Sequence, residues 1–196
     1  MGKDKNEARA VQRQEEKIKG RLVEEGVKVE EKKSVEELSS RGYGLVEEEG
    51  LYLSFYEALY LMDRGLLEVK DDKGGDVSFQ MVLQAYEKGD ENAWAKYMVY
   101  RDLRGRGYVV RGGFGLGLDF RVYERGDYGK DTAKYLVLSM QEGRPLSLEY
   151  LTNVMRQCQA LKKELVLAVM SRRGEIVYYT VSQLTVPKTM VEKGRE

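Results

Sequence analysis

The order of hydrophobic periodicities in the second half of the chain constrains the fold most. Apolar residues recur there at helical spacing, then at strand spacing, and then the two patterns repeat. The segments are residues 90–105 (helix), 108–111, 118–123 and 134–140 (strands), 147–161 (helix), and 165–170 and 176–186 (strands). This order predicts a mixed α/β sheet with one helix packed on each face. The second helix is expected to turn one apolar face inward: Leu148, Leu151, Met155, Cys158 and Leu161.

The first half predicts a smaller α/β domain built from short elements. Residues 21–33 and 51–53 read as strands, and the helices are expected to begin at side chains that cap N-termini. The predicted caps are Ser34 (with Glu37 completing a capping box), Ser54, Ser78 and, for the long helix, Asp90. Gly65 and Gly89 are expected to end two of these helices.

Charge supports a division into two domains. Residues 1–92 carry 15 Lys+Arg against 22 Asp+Glu (net −7), whereas residues 93–196 carry 18 against 11 (net +7). We therefore predict a charged arm at 1–20, an N-terminal domain at 21–90, a C-terminal domain at 91–187 and a polar tail at 188–196. The basic half suits a polyanionic partner, although chance and solvated helix faces would explain the same asymmetry.

Several protein classes are disfavoured by composition. No apolar stretch approaches the ~20 residues of a membrane span, and the N-terminus lacks the apolar core of a signal peptide. The single cysteine, Cys158, cannot form an intramolecular disulfide, and the carboxylates show no metal-ligand clustering. We expect a cytoplasmic protein without a metal or other cofactor.

Segments across both halves resemble the archaeal tRNA-splicing endonucleases (tRNA-intron endonucleases). The matching segments are residues 41–44 (RGYG), 58–62 (ALYLM), 100–108 (YRDLRGRGY), 119–126 (DFRVYERG), 162–169 (KKELVLAV) and 174–179 (GEIVYY). The resemblance spans roughly residues 20–187. It implies a C-terminal domain of restriction-endonuclease-like fold behind the small N-terminal domain.

The resemblance also implies a reaction. Enzymes of this family cut pre-tRNA at a bulge–helix–bulge without a metal, leaving a 2′,3′-cyclic phosphate and a 5′-hydroxyl. Such cleavage needs a base for the 2′-hydroxyl, an acid for the leaving 5′-oxygen and a cation for the charged phosphorane. The family is usually assigned tyrosine, histidine and lysine for these roles.

Two of the three catalytic positions are retained here. The resemblance places the tyrosine at Tyr123 and the lysine at Lys163, whereas the histidine position holds Thr132. The chain contains no histidine at all. A hydroxyl does not titrate near neutral pH and cannot replace an imidazolium as proton donor. Losing a positioned acid costs about 10² to 10⁴ in rate, so the triad is expected to be inactive.

An inactive triad fits the structural subunit of the heterotetrameric members of the family, which contain two catalytic and two structural chains. The resemblance then implies a catalytic partner subunit and pre-tRNA as partners. It also implies that the last strand forms a subunit interface. The expected interface residues are Glu175, Ile176, Val177, Tyr178, Val181, Leu184 and Val186. A docking loop is expected at residues 171–175 (SRRGE) or, because that turn is basic where the family's is acidic, at residues 124–131.

Other residues keep two interpretations. Arg156, seven residues before Lys163, matches a family arginine that stacks on a flipped-out bulge base, but it is equally a surface arginine on a helix. The glycine-rich residues 112–117 precede a strand and not a helix, which excludes a phosphate-binding P-loop.

Two rival functions also stay open. The chain is either itself catalytic through Tyr123 and Lys163 with another acid, or a nuclease-derived RNA-binding module that needs no partner.

Overall fold

The computed structural model describes residues 17–113, 115 and 117–183. The chain divides into two compact units, one ending at Glu91 and the other beginning at Asn92. Both combine short helices with a mixed sheet, which confirms the predicted α/β class. Leu184 and Val186 of the predicted interface lie outside the described residues, as does most of the predicted charged arm.

The first unit is built on a six-stranded sheet with three helices. Its elements are β1 (Ile18–Val23), β2 (Gly26–Val29), α1 (Lys32–Ser40), β3 (Leu45–Glu47), β4 (Gly50–Leu53), α2 (Phe55–Asp63), β5 (Leu67–Lys70), β6 (Asp76–Val77) and α3 (Phe79–Gly89). The strand order is β3-β4-β2-β1-β5-β6, and only the β1–β5 pair is parallel. β1 begins inside the segment predicted as an arm, because Ile18 is buried against the sheet.

Local capping explains where the helices of the first unit begin and end. At Ser54, confirmed as a cap of α2, the carboxylate of Glu57 accepts hydrogen bonds from the backbone N–H and the hydroxyl. Gly65 ends α2 as predicted, with φ +70° and its N–H bonded to the Met62 carbonyl. The prediction for Ser34 is wrong. The residue that precedes α1 is Glu31, three residues before the predicted cap, and the Ser34 hydroxyl donates to the Glu31 carboxylate.

The second unit contains the predicted helix–strands–helix–strands order. Its elements are α4 (Ala93–Gly105), β7 (Val109–Gly112), β8 (Phe120–Tyr123), β9 (Tyr135–Gln141), α5 (Leu148–Ala160), β10 (Glu164–Met170) and β11 (Ile176–Val181). The strand order is β11-β10-β9-β8-β7, and the β9–β10 pair is parallel. Asp90 does not begin α4; it follows the last turn of α3, and Asn92 is the residue before α4.

The two helices of the second unit pack on opposite faces of the sheet. Tyr100 of α4 contacts Phe120 of β8 with ring centroids 6.0 Å apart. On the other face, Val154 and Cys158 of α5 join a core cluster with Leu136 and Leu165. The predicted inward face of α5 is wrong at both ends: the side chain of Leu148 is 77% exposed and that of Leu161 is 44% exposed. β11 ends at Val181, short of the predicted residue 186.

Candidate functional site

Three strand ends meet at one edge of the sheet in the second unit. β8 runs antiparallel to β9, and β10 runs parallel to β9. The C-terminal end of β8 therefore lies beside the N-terminal ends of β9 and β10. The strand register places Val122 opposite Tyr135, and Tyr135 opposite Glu164. This edge, which we call the β8–β10 edge, gathers the residues that end β8 and those that precede β9 and β10.

Thr132 and Lys163 are in direct contact at the β8–β10 edge. The ammonium Nζ of Lys163 donates a hydrogen bond to the hydroxyl Oγ1 of Thr132, across 31 residues of sequence. The backbone N–H of Thr132 donates to Oδ1 of Asp131 at 2.6 Å. The positions that the resemblance gives to the family's histidine and lysine are thus adjacent in space.

The backbone at the end of α5 positions Lys163. The Lys163 N–H bonds to the Cys158 carbonyl and the Lys162 N–H to the Gln159 carbonyl, each at 2.9 Å. These two bonds form a Schellman motif, whose left-handed position usually holds glycine. Lys162 takes that position with φ +55°, a conformation that costs a residue with a side chain about 1 kcal/mol. The motif directs the chain from the helix end straight into β10.

Tyr123 lies on the same edge but outside this contact. It is the last residue of β8, half-buried, and its ring packs edge-on against Tyr128 with centroids 5.2 Å apart. Within the described residues, no hydrogen bond joins its hydroxyl to Thr132 or Lys163. The arrangement brings two of the three predicted triad positions into contact and places the third on a neighbouring strand.

A second cation at the edge is held by a carboxylate that the sequence analysis did not single out. Nζ of Lys134 lies 2.9 Å from Oε1 of Glu124 and 5.0 Å from the centroid of the Tyr135 ring. The Tyr135 hydroxyl donates to the same Glu124 oxygen at 3.2 Å. The hydrogen bond from Lys134 lowers the pKa of Glu124, while Tyr135 and then Glu124 raise the pKa of Lys134.

A similar group joins β11 to α4. The hydroxyl of Tyr178 donates to Oδ2 of Asp102 at 2.7 Å, and Nε of Arg106 donates to the same oxygen at 2.6 Å. The guanidinium of Arg106 lies 5.6 Å from the centroid of the Tyr178 ring. Burial, followed by the bond to Asp102, raises the pKa of Tyr178. The i,i+4 spacing of Asp102 and Arg106 was readable in the sequence, but their contact with Tyr178, 76 residues away from Asp102, was not.

Two cavities open near the β8–β10 edge, one on each face of the sheet. The first, about 230 Å³, lies beside α5, and its lining includes Cys158, Lys163 and Val181. The second, about 220 Å³, lies beside α4. It is lined by Leu103, Arg106, Tyr108, Val122, Tyr135, Val137, Val166, Tyr178 and Thr180.

The remaining predicted site residues are exposed or at the sheet margin. Arg156 is exposed on α5 and makes no hydrogen bond or ion pair with any residue that the structure describes. Along β11, Val177 and Tyr179 are 45% and 54% exposed, whereas Ile176, Tyr178 and Val181 are half-buried. Glu175 is exposed in the turn before β11.

The edge offers cations and hydroxyls but no imidazole. The protein has no histidine, and among the described residues there is no cluster of three acidic or cysteine side chains able to hold a metal ion. No helix in the described part of the chain has both the length and the apolar character needed to cross a bilayer. The edge thus presents the ammonium groups of Lys163 and Lys134 beside hydroxyls, and the chain supplies no histidine as a proton donor.

Comparison with known proteins defines the class to which this fold and edge belong. Residues 18–83 match the family model of the tRNA intron endonuclease N-terminal domain. Residues 93–178 match that of the tRNA intron endonuclease catalytic C-terminal domain. The chain therefore belongs to the tRNA intron endonuclease family.

Curated relatives resemble the chain over most of their length. The chain is 35% identical over 167 residues to a tRNA-splicing endonuclease of Methanococcus vannielii, covering 85% of this chain and 94% of the relative. It is 37% identical over 153 residues to that of Pyrococcus furiosus, covering 78% and 88%. It is 34% identical over 169 residues to that of Methanothermobacter thermautotrophicus, covering 84% and 96%.

Proposed function

We propose that this chain is the structural, non-catalytic subunit of a tRNA-splicing endonuclease. It would assemble with a related catalytic subunit as a heterotetramer that contains two copies of each. The complex would cut pre-tRNA introns at bulge–helix–bulge sites in the cytoplasm, giving 2′,3′-cyclic phosphate and 5′-hydroxyl ends. No cofactor is required, because acid, base and cation can all be protein side chains.

The observation that carries this proposal is the contact between Lys163 and Thr132 in a chain without histidine. The ammonium of Lys163 lies at the position that the resemblance gives to the family's acid, and its partner there is the hydroxyl of Thr132. A threonine hydroxyl can orient an anion but cannot deliver a proton to a leaving 5′-oxygen at neutral pH. The edge therefore retains the means to bind a phosphodiester and lacks the means to cleave it quickly.

Assembly is supported by the margin of the sheet in the second unit. β11 is the last strand in the order of that sheet, and its pairing with β10 uses one of its two edges. Val177 and Tyr179 are exposed on a strand that consists of aliphatic residues, two tyrosines and a threonine. Such an edge favours pairing with another strand, and in the tetramer the residues from Glu175 to Val181 would take that role, with Leu184 and Val186 continuing it.

RNA contact is supported by charge. The second half of the chain carries a net charge of +7, and Arg156 presents on α5 a guanidinium that pairs with no residue the structure describes. Basic side chains of this kind give sequence-independent backbone contacts, because RNA helices are recognised mainly by shape. The turn at residues 171–175 is closed by hydrogen bonds from Ser171 and Gly174. With Arg172 and Arg173 exposed, that turn would dock on an acidic surface of the partner, unless residues 124–131 form the docking loop.

The test is cleavage of a labelled bulge–helix–bulge RNA by this chain alone, by its catalytic partner alone and by the mixture. The proposal expects full cleavage only by the mixture, from a complex whose mass corresponds to two copies of each chain. Cleavage by this chain alone, at a rate comparable with the mixture, would overturn it.

A catalytic role for the chain itself is the second candidate, favoured by the retained Tyr123 and Lys163 and by relatives named as endonucleases. In that case the isolated chain would be active as a homo-oligomer, and Tyr123→Phe would abolish the activity. A third outcome, tight RNA binding by a chain that neither cleaves nor associates with a second gene product, would indicate a nuclease-derived RNA-binding module.

A further inference from the structure

The strand β3 is an exposed edge of the six-stranded sheet in the first unit. It stands at the end of the strand order, and in the described part of the chain it pairs only with β4. Its two aliphatic side chains, Leu45 and Val46, are 59% and 54% exposed, more than any other large apolar side chain described in this unit. β3 contains no lysine or proline, which proteins often place on such an edge to block the addition of another strand.

Acidic side chains lie at one end of this edge. Glu47 ends β3, and Glu48 and Glu49 form the turn to β4. Glu49 is paired with Lys28 at 2.9 Å, whereas Glu47 and Glu48 form no ion pair with any residue that the structure describes. Together with the net charge of −7 on residues 1–92, these carboxylates disfavour RNA at this edge. A second copy of β3 is disfavoured as well, because it would bring glutamates of its own.

The edge is held in place before any partner binds. The N–H of Gly44, directly before β3, donates to the buried carboxylate of Glu57 at 3.0 Å. Val46 is paired with Leu51 of β4, whose side chain is fully buried. A strand that is already fixed loses little conformational entropy when it pairs with another segment, which favours binding.

We propose that β3 binds an extended, basic segment of another protein, which adds to the sheet as an antiparallel strand. In this mode of recognition main-chain hydrogen bonds supply the affinity and side chains supply the specificity. Because paired residues of two strands lie on the same face, a lysine or arginine of the segment lies opposite Glu47, and aliphatic residues lie opposite Val46 and Leu45. The proposal is independent of the proposed function, since β3 lies in the first unit and the triad positions lie in the second.

The test uses the full chain and the synthetic peptide acetyl-Lys-Lys-Val-Leu-Thr-amide, whose second lysine, valine and leucine fall opposite Glu47, Val46 and Leu45. Amide hydrogen exchange at residues 45–47 should slow about tenfold when the peptide is present at about ten times its dissociation constant. The same peptide N-methylated at valine and leucine keeps its charges but cannot pair as a strand, so it should give no protection. No protection by the unmodified peptide up to about 10 mM, or equal protection by the methylated one, would overturn the proposal. Protection of these residues by a bulge–helix–bulge RNA, or by a higher concentration of the chain alone, would also overturn it, because the partner would then be RNA or a second copy.

A charge exchange provides a second readout. Glu47 and Glu48 are exposed, so Glu47→Lys combined with Glu48→Lys should leave the first unit folded. This double variant should lose protection by the lysine peptide and gain it from acetyl-Glu-Glu-Val-Leu-Thr-amide, which should not protect the wild-type chain. Glu24→Lys combined with Glu25→Lys is the matched control, because it makes the same change of net charge in the exposed turn between β1 and β2. The control should keep the wild-type preference; a reversed preference in the control as well would attribute the effect to net charge and contradict the assignment to β3.

Discussion

At the scale of single residues, Thr132 is the position on which the proposed inactivity of the chain depends. Its hydroxyl accepts a hydrogen bond from Lys163. Under the proposed function, this contact keeps the position of the family's acid beside that of its cation, while the acid itself is missing. A side chain of suitable pKa at this position would face the lysine at hydrogen-bond distance. The proposed defect would therefore be one of side-chain chemistry and not of backbone position, which makes it testable by substitution.

Thr132→His is expected to give the chain cleavage activity towards a bulge–helix–bulge RNA. An imidazolium at this position supplies the missing proton donor, which is worth about 10² to 10⁴ in rate. The single-turnover rate should rise by about 10² and fall again above pH ~6.5, as the imidazole loses its proton. The double variant Thr132→His with Lys163→Ala should lose the gain, and a Thr132→His chain no faster than wild type would contradict the inactive-triad interpretation.

Lys162 is a second residue that can be tested by substitution, because its backbone lies in the left-handed region. Because its φ of +55° suits glycine, Lys162→Gly should be neutral or stabilise the second unit by up to about 1 kcal/mol. Lys162→Val should destabilise it by about 1–2 kcal/mol, since a β-branched side chain fits the left-handed region worst. Trp94, the single tryptophan, lies in α4, and its fluorescence during urea unfolding would report on this unit. A Lys162→Val variant that is more stable than the Lys162→Gly variant would contradict this prediction.

At the scale of elements, one buried carboxylate in the first unit supports both the start of a helix and a nearby turn. Glu57 is only 4% exposed and accepts hydrogen bonds from the N–H groups of Ser54 and Gly44, each at 3.0 Å. One side chain thus begins α2 and also fixes the turn that precedes β3. Removing it would leave two backbone donors without this acceptor.

Glu57→Ala is expected to destabilise the first unit by about 2–4 kcal/mol, because buried donors that lose an acceptor cost about 1–3 kcal/mol each. Glu37→Ala is the matched control: its carboxylate pairs with Arg41 in an exposed i,i+4 contact, worth less than about 0.5 kcal/mol. Amide hydrogen exchange in α2 would measure both. Similar protection in the two variants would show that the Glu57 bonds contribute little.

The elements also show what the sequence could and could not predict. The helix and strand order of the second unit was predictable, because its two helices and the strands β9 and β10 carry long apolar periods. Strands as short as β3 and β6 were not, since two or three residues carry no period. The caps at Ser34 and Asp90 were wrong because serine and aspartate also bond locally outside the cap position, as Ser34 does with Glu31. The contact of Thr132 with Lys163 was predictable only through the family resemblance, and that of Tyr178 with Asp102 not at all.

At the scale of the whole molecule, the exposed edge strand and the charge asymmetry are the features that support the proposed assembly. Acidic and basic halves of equal and opposite net charge favour association with other macromolecules over self-repulsion. The proposed place of that association is β11, because Val177 and Tyr179 on this strand are exposed and accessible to a partner. If the heterotetramer depends on this strand, charges placed there should separate the subunits without unfolding the chain.

The variant that tests this dependence is Val177→Lys combined with Tyr179→Lys. Lysine on an edge strand opposes strand pairing, so the complex should dissociate into smaller species in sedimentation and should lose RNA cleavage. Because both side chains are about half exposed, the unfolding free energy of the isolated chain should change by less than about 1 kcal/mol. Leu148→Lys is the matched control, an apolar side chain that is 77% exposed at the start of α5 and away from the strand. An intact heterotetramer in the double variant would exclude β11 as the interface, and dissociation by Leu148→Lys as well would attribute the effect to added charge and not to the strand.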